Sequence, residues 1–205
     1  VTPSRPILFT ADEVRATLEG RKTQVRRPVE PQPIRASPTS RLCWSHDNSG
    51  SSAIFGEDVA VANYMAIRCP FGHPRDLLWA QETWAEIETK NQPEKEAWYR
   101  ADKDWDVPWL KWSHAKDMPR WACRLWLRIT DVRVERIKEC SFADWKADFA
   151  PSYIEEEKAR ASFVGYEYQR EFIERRWNTI HAPKGFGWDT NPWVWVVEFE
   201  RTEAP

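Results

Sequence analysis

The sequence predicts an α+β domain, and three stretches carry that prediction. Cys123, Leu125, Leu127 and Ile129 alternate with Arg124, Trp126, Arg128 and Thr130, the period-two pattern of a half-buried strand. Trp193-Val-Trp-Val-Val-Glu-Phe199 is a β-branched and aromatic run without glycine or proline, which reads as a closing strand. Between them, Ser141 to Phe149 places Phe142, Trp145 and Phe149 on one helical stripe. Strands, then helices, then a returning strand make an α+β order.

The remaining elements follow from local chemistry. Pro6-Ile-Leu-Phe9 reads as a short strand. Thr10-Ala-Asp-Glu13 is a capping box, in which the threonine hydroxyl and the glutamate carboxylate satisfy each other's backbone N–H groups. Val14 and Leu18 then recur at i, i+4 and Gly20 is a stop, so a helix of about ten residues leads into the basic run Arg21-Lys-Thr-Gln-Val-Arg-Arg27, closed by Pro28. From about 28 to 72 the chain is rich in Pro, Ser, Asn and Gly and reads as a long irregular insertion within a single domain of residues 1–205. Leu77 to Ile87 is strand-like, and Trp98-Tyr-Arg100 is a short strand. After Ile129 the alternation changes phase, because Val132 and Val134 form the next apolar pair. A bulge or tight bend near Thr130-Asp131 produces that shift, and closing a small barrel needs such bends. Ser152-Tyr-Ile-Glu155 opens a second capped helix, interrupted at Gly165 and continued by Tyr166, Ile173, Trp177 and Ile180.

Composition excludes some functions. Thirty basic residues stand against thirty-two acidic ones, for a net charge of −2. A protein that coats nucleic acid by displacing counterions needs a large basic excess, whereas a single-nucleotide pocket needs one or two cations. Neither a signal peptide nor an apolar run long enough for a bilayer is evident, so a cytoplasmic location is expected. Cys43, Cys69, Cys123 and Cys140 fit reduced thiols in a chain large enough to fold without staples. Fourteen tryptophans beside seven glycines is the unusual number. Trp98, Trp105, Trp109, Trp112 and Trp121 interleave with Lys103, Lys111, Lys116 and Arg120. Flat rings among cations suit stacking on bases, and a loop folded over an apolar sheet face reads the same way.

Several motifs, in order along nearly the whole chain, resemble the ASCH-domain family of phage and prophage proteins. They are Arg5-Pro-Ile-Leu-Phe9, Glu19-Gly-Arg-Lys-Thr-Gln-Val-Arg-Arg27, Cys69-Pro-Phe-Gly72 and Leu78-Trp-Ala-Gln-Glu-Thr-Trp84. Tyr99-Arg-Ala-Asp102, Met118-Pro-Arg-Trp-Ala122, Thr130-Asp-Val-Arg-Val-Glu-Arg136 and Asn191-Pro-Trp-Val-Trp-Val-Val-Glu-Phe199 complete the set. The resemblance implies a PUA-like small β-barrel flanked by helices, a fold that holds RNA or modified bases in a cleft. Some small relatives are amidohydrolases that remove acyl groups from N4-acylated cytidine with a lysine, a threonine and a glutamate.

Carried over residue by residue, the resemblance places the lysine at Lys22. The threonine position is Val25, which has no hydroxyl, so that role falls vacant unless Thr23 supplies it. The glutamate position falls on Asp148, one methylene shorter, and a misplacement of about 1 Å can cost on the order of 10²-fold in rate. Base or phosphate recognition asks less. Arg26 and Arg27 offer paired N–H donors; Trp79, Trp84 and Trp121, with Arg120 nearby, are stacking candidates; Glu82 can accept from an exocyclic amine or simply pair with an arginine. Cys43 and His46 with Cys69 and His73 give a weaker C-x₂-H, C-x₃-H pattern of zinc-type ligands. No cofactor is expected.

Three functions follow as expectations: a module that binds a nucleobase, nucleotide or single-stranded nucleic acid; an N4-acylcytidine amidohydrolase using Lys22 and Asp148; and a phage interaction protein whose 28–72 segment contacts a host or phage protein partner.

Overall fold

The computed structural model describes residues 2–33, 42–46, 52–57, 65–87, 95–102, 109–148 and 165–205. The chain is α+β, as its sequence predicts. The first strand, β1 (Ser4–Leu8), is followed by α1 (Ala11–Leu18) and β2 (Gln24–Pro28). Three short strands come next, β3 (Leu42–His46), β4 (Ser52–Glu57) and β5 (Met65–Arg68), then β6 (Leu77–Gln81), β7 (Trp84–Ile87) and β8 (Glu96–Tyr99). The long β9 (Trp126–Arg136), the helices α2 (Phe142–Asp148) and α3 (Gly165–His181), and β10 (Trp193–Thr202) complete the chain.

The central sheet has the order β1-β6-β9-β10-β2, parallel between β1 and β6 and antiparallel elsewhere. Among the described residues no ladder joins β1 to β2, so the sheet is open and the expected closed barrel is not formed by backbone pairing. A side chain spans the gap instead: Arg27 Nη2 donates to the Leu8 carbonyl at 3.1 Å. The bulge falls where the phase change predicts. Glu198 pairs with Asp131 and Phe199 with Ile129, leaving Thr130 as the extra residue.

β10 explains its own composition. Trp193, Trp195, Val197 and Phe199 pack with Phe9, Val25, Leu127 and Val134 on one face of the sheet. Val194 and Val196 point the other way, onto Trp145, Ile173, Trp177 and Trp188 from the helical layer. A strand buried on both faces has no polar side to show, so its run is continuously apolar. Each such Val or Leu contributes about 1.5–3 kcal/mol of burial.

The capping box at α1 forms as read: Glu13 N–H donates to Thr10 Oγ1 at 3.3 Å and Thr10 N–H to Glu13 Oε2 at 2.8 Å. Gly20 follows at φ 74°, a left-handed conformation that ends the helix at no steric cost. The basic run after it is not simply a turn. Gln24–Pro28 is an edge strand paired with β10, because the ladder satisfies backbone groups that a turn would leave to water.

Two readings differ from the structure. The 28–72 stretch carries the three-stranded antiparallel sheet β3-β4-β5, so it is not irregular throughout; the Pro, Ser, Asn and Gly around these short strands carry the stronger, turn-like signal. The Leu77–Ile87 strand is two strands, broken where Glu82 turns inward, and β7 pairs with β8 in a separate hairpin. The helix at Ser152, and with it the interruption expected at Gly165, lies outside the described residues, which resume with α3 at Gly165.

Candidate functional site

Beside the gap between β1 and β2 lies a cleft of about 600 Å³, within the range of small-molecule sites. Five segments build it. Leu8 to Thr10 and Glu13 come from the β1–α1 junction, Arg26 and Arg27 from β2, and His114 to Lys116 from a short 3₁₀ turn. Trp145 and Asp148 come from α2, and Arg176, Trp177, Ile180 and His181 from the end of α3, with Lys184 just beyond it. The lining thus combines apolar walls with many polar and charged groups.

Lys22 stands directly behind this cleft, only 2 % exposed. Its Nζ donates to Asp148 Oδ1 at 2.5 Å and to the Asp148 backbone carbonyl, and lies 3.6 Å from Glu13 Oε1. A buried ammonium is tolerable only with such partners. Arg27 and Arg26 extend the network: Arg27 Nη2 is 3.6 Å from Glu13 Oε1, and Arg26 donates its backbone N–H to Asp148 Oδ2 at 3.2 Å. Arg26 Nε also donates to Glu135 Oε1 at 3.1 Å, beside the Cys140 thiol, which itself donates to that oxygen at 2.8 Å. Burial, and the carboxylate beside it, push the Cys140 thiol well up, so it stays protonated as that donor. Burial alone would raise the Glu13 carboxyl; Arg27, Lys22 and the Thr10 hydrogen bonds outweigh it and hold the group below its usual range.

His181 is the other unusual group. Burial first, then Arg27 and Lys184, lower its pKa to about 4, so the imidazole is neutral at pH 7. Its ring lies 3.9 Å from that of Trp177, tilted by 32°. Its buried Nδ1 has no hydrogen-bond partner, and neither has the buried Arg26 Nη2. Both residues line the cleft. An unsatisfied buried polar atom costs about 1–3 kcal/mol, and a ligand that reaches it recovers part of that cost.

The residues named from sequence divide into two groups. Lys22, Asp148, Arg26 and Arg27 converge here. Thr23 is exposed and does not line the cleft; its backbone bridges Ala147 and Phe199 instead. Val25 is wholly buried, so no hydroxyl stands beside Lys22 at either position.

Trp79, Glu82, Trp84, Arg120 and Trp121 do not line the cleft. Glu82 is buried and forms a bidentate pair with Arg124, Nε to Oε1 at 2.9 Å and Nη2 to Oε2 at 3.0 Å. Burial raises its pKa against the pull of Arg124. Trp84 packs on Met118 and Ala122, with the half-exposed Trp121 edge-on at 5.6 Å. Arg120 sits over the Trp126 ring at 4.9 Å, and Trp79 is half-buried on β6.

For the zinc pattern, the side chains of Cys43 and His46 lie outside the described residues. Cys69 is buried with its thiol pushed up to about 11 by burial, and His73 faces Asp76 at 3.4 Å. Among the described residues no cluster of three or more metal-type ligands forms.

Sequence reasoning missed Trp145, Trp177 and His181 as cleft residues. Trp177 and His181 are i, i+4 neighbours at a helix end, a spacing that puts an aromatic ring and an imidazole on one face. That signal was available, but a helical stripe of tryptophans reads as core.

No family model, no curated protein and no solved structure matches the chain. No described helix is long and apolar enough to cross a membrane.

Proposed function

We propose that the chain binds a planar heterocycle, a nucleobase or nucleotide, in the cleft between β1, β2 and the two helices. One observation carries this reading: apolar walls that include Phe9, Trp145 and Trp177 meet Arg26 and His181, each with a buried nitrogen, Nη2 and Nδ1, that has no hydrogen-bond partner. Aromatic walls gain from stacking on any base, and the two orphaned atoms gain from its polar edge. The ordered motifs that resemble the ASCH family support the same function and a PUA-like fold. The approach of β1 to β2 through Arg27 supports a barrel closed by side chains rather than by a ladder.

Calorimetric titration with cytidine, uridine, adenosine and guanosine tests the reading. Saturable binding of at least one, weakened in Trp177→Leu, is expected. Absence of heat for every nucleoside and its nucleotide overturns it.

A second reading is hydrolysis of an N4-acylated cytidine, favoured by Asp148, which lines the cleft with Lys22 Nζ 2.5 Å behind it. With no hydroxyl offered at Thr23 or Val25, water attacks the acyl carbonyl. Asp148 takes a proton from the water and returns it to N4 as the C–N4 bond breaks, so cytidine leaves with its neutral amino group and a carboxylic acid is released. Lys22 holds Asp148 in place and touches no substrate. Turnover of N4-acetylcytidine that is lost in Asp148→Asn supports this reading, and turnover equal to that of the variant removes it.

A further inference from the structure

The larger chamber is not the end of the cleft. A second hollow of about 360 Å³ opens between Pro28, Glu30, Pro70 and Phe71. Arg27, His181 and Lys184 line both hollows, so these three form a sill between them. They come from three separate elements, β2, the last residue of α3 and the 3₁₀ turn after it.

The sill is rich in donors. Arg27 spends one N–H of Nη1 on the Arg26 carbonyl at 3.0 Å and one of Nη2 on the Leu8 carbonyl at 3.1 Å. Those bonds fix the plane of the guanidinium and leave part of its fork of five N–H groups for a ligand. Lys184 is exposed. His181 adds the buried Nδ1 without a partner, 94 % removed from solvent with its residue, which is 6 % exposed. A neutral imidazole with Nδ1 protonated is a hydrogen-bond donor that carries no charge of its own.

Local charge points the same way. The larger chamber is lined by the cations Arg26, Arg27, Lys116, Arg176 and Lys184 against the carboxylates Glu13 and Asp148. Both carboxylates are already matched: Asp148 by Lys22 and Arg26, Glu13 by Lys22 and Arg27. Lys116 and Lys184 add positive charge to the cleft beyond these pairs, in a chain whose net charge is −2, and that fits an anion.

We propose that Arg27, Lys184 and His181 Nδ1–H form a phosphate site, and that the cleft takes a phosphodiester-linked dinucleotide or longer single strand. One base occupies the larger chamber, the phosphate rests on the sill, and the neighbouring nucleoside lies in the smaller hollow against Phe71 and Pro70. This rests on the base-binding reading and adds to it the class of ligand. A guanidinium held in plane matches two phosphate oxygens, while the lysine and the imidazole reach a third from other sides.

The test compares three probes bearing the base that binds best: the nucleoside, its 3′-monophosphate and the matching dinucleoside monophosphate, each in ribose and deoxyribose form. Affinities are measured on the full chain and on Lys184→Ala, with thermal unfolding as the check that the variant folds. The dinucleoside monophosphate is expected to bind at least about tenfold more tightly than the nucleoside, as charge-assisted pairs are among the stronger hydrogen bonds. Lys184→Ala is expected to collapse that ratio toward one. Equal affinity for the nucleoside and both phosphorylated probes overturns the phosphate site while leaving base binding intact. A ratio unchanged in Lys184→Ala does so too. A 3′-monophosphate that binds while the dinucleoside monophosphate is rejected overturns the second hollow's role. If no probe binds, this inference and the base-binding reading fall together.

Discussion

The Lys22–Asp148 pair makes the sharpest stability prediction, because its two members are unequally insured. Lys22 Nζ has two acceptors, Asp148 Oδ1 at 2.5 Å and the Asp148 carbonyl, and a second carboxylate nearby, Glu13 Oε1 at 3.6 Å. Replacing Lys22 by methionine keeps the volume of the stem and leaves each carboxylate a cation. Asp148 keeps the Arg26 N–H at 3.2 Å and the Arg26 guanidinium at 3.6 Å; Glu13 keeps Arg27 at 3.6 Å and the Thr10 N–H at 2.8 Å. The expected loss is about 1.5–2 kcal/mol, the low end for a hydrogen bond to a charged group.

Replacing Asp148 by alanine is different. The buried ammonium is left with a backbone carbonyl and a share of Glu13, and Arg26 loses a carboxylate as well. Stranding a buried charge costs about 3–5 kcal/mol, and the surviving partners place this case near 3. At about 2–4 °C per kcal/mol for a chain of this length, the melting temperature falls roughly 6–12 °C. Thermal and urea unfolding at pH 7, followed by near-ultraviolet circular dichroism, measures both variants. Equal losses in the two, or an Asp148→Ala loss under about 1 kcal/mol, refute the reasoning that the ammonium is buried and dependent on this carboxylate.

Other outcomes follow from the same geometry. His181 has its folded pKa lowered from 6.5 to about 4, so the unfolded chain binds the extra proton first as pH falls. Stability is full above about 6.5 and is lost as pH drops toward 4, by about 2–3 kcal/mol between pH 6.5 and 4.5; denaturation across that window in His181→Gln should show a flatter slope, and an unchanged slope contradicts the assignment. Arg124→Ala strands the buried Glu82, with an expected loss of about 3 kcal/mol moderated because Glu82 can take up a proton; urea unfolding reads it. Trp121→Ala, at a side chain 47 % exposed and away from the cleft, should leave nucleotide affinity within twofold by calorimetry, roughly the scatter expected of a surface change. The buried Cys69 thiol and the half-buried Cys123 thiol, both pushed up to about 11, should react with iodoacetamide far more slowly at pH 7.5 than in urea.

Local chemistry was legible and long-range assembly was not. The Thr10–Glu13 capping box and the bulge at Thr130 are written in neighbouring residues, so the sequence announces them. The double-sided burial of β10 was also visible, as a strand with no polar face. β3, β4 and β5 were hidden because short strands among turn-forming residues show little periodicity. Lys22 and Asp148 were named only through the family resemblance; nothing local says that residues 126 apart in sequence share a hydrogen bond. The cleft's aromatic walls were misplaced for a similar reason. Trp145 and Trp177 look like core from helical spacing, and they are core on one side while lining the cleft on the other. Trp79, Trp84 and Trp121 lie among strand residues and basic side chains, which read as a binding surface; Trp84 instead packs into its own small cluster.

The central claim is that a base stacks in the cleft beside Trp145, Trp177 and His181. Indole ¹⁵N–¹H spectra test it most directly, with the Trp145 and Trp177 cross-peaks assigned through single phenylalanine substitutions. Addition of the tightest-binding nucleotide should shift those two and leave the Trp121 and Trp109 signals in place. Shifts confined to Trp121 and Trp109, with Trp145 and Trp177 unmoved at saturation, would put the ligand on the other aromatic surface and contradict the account.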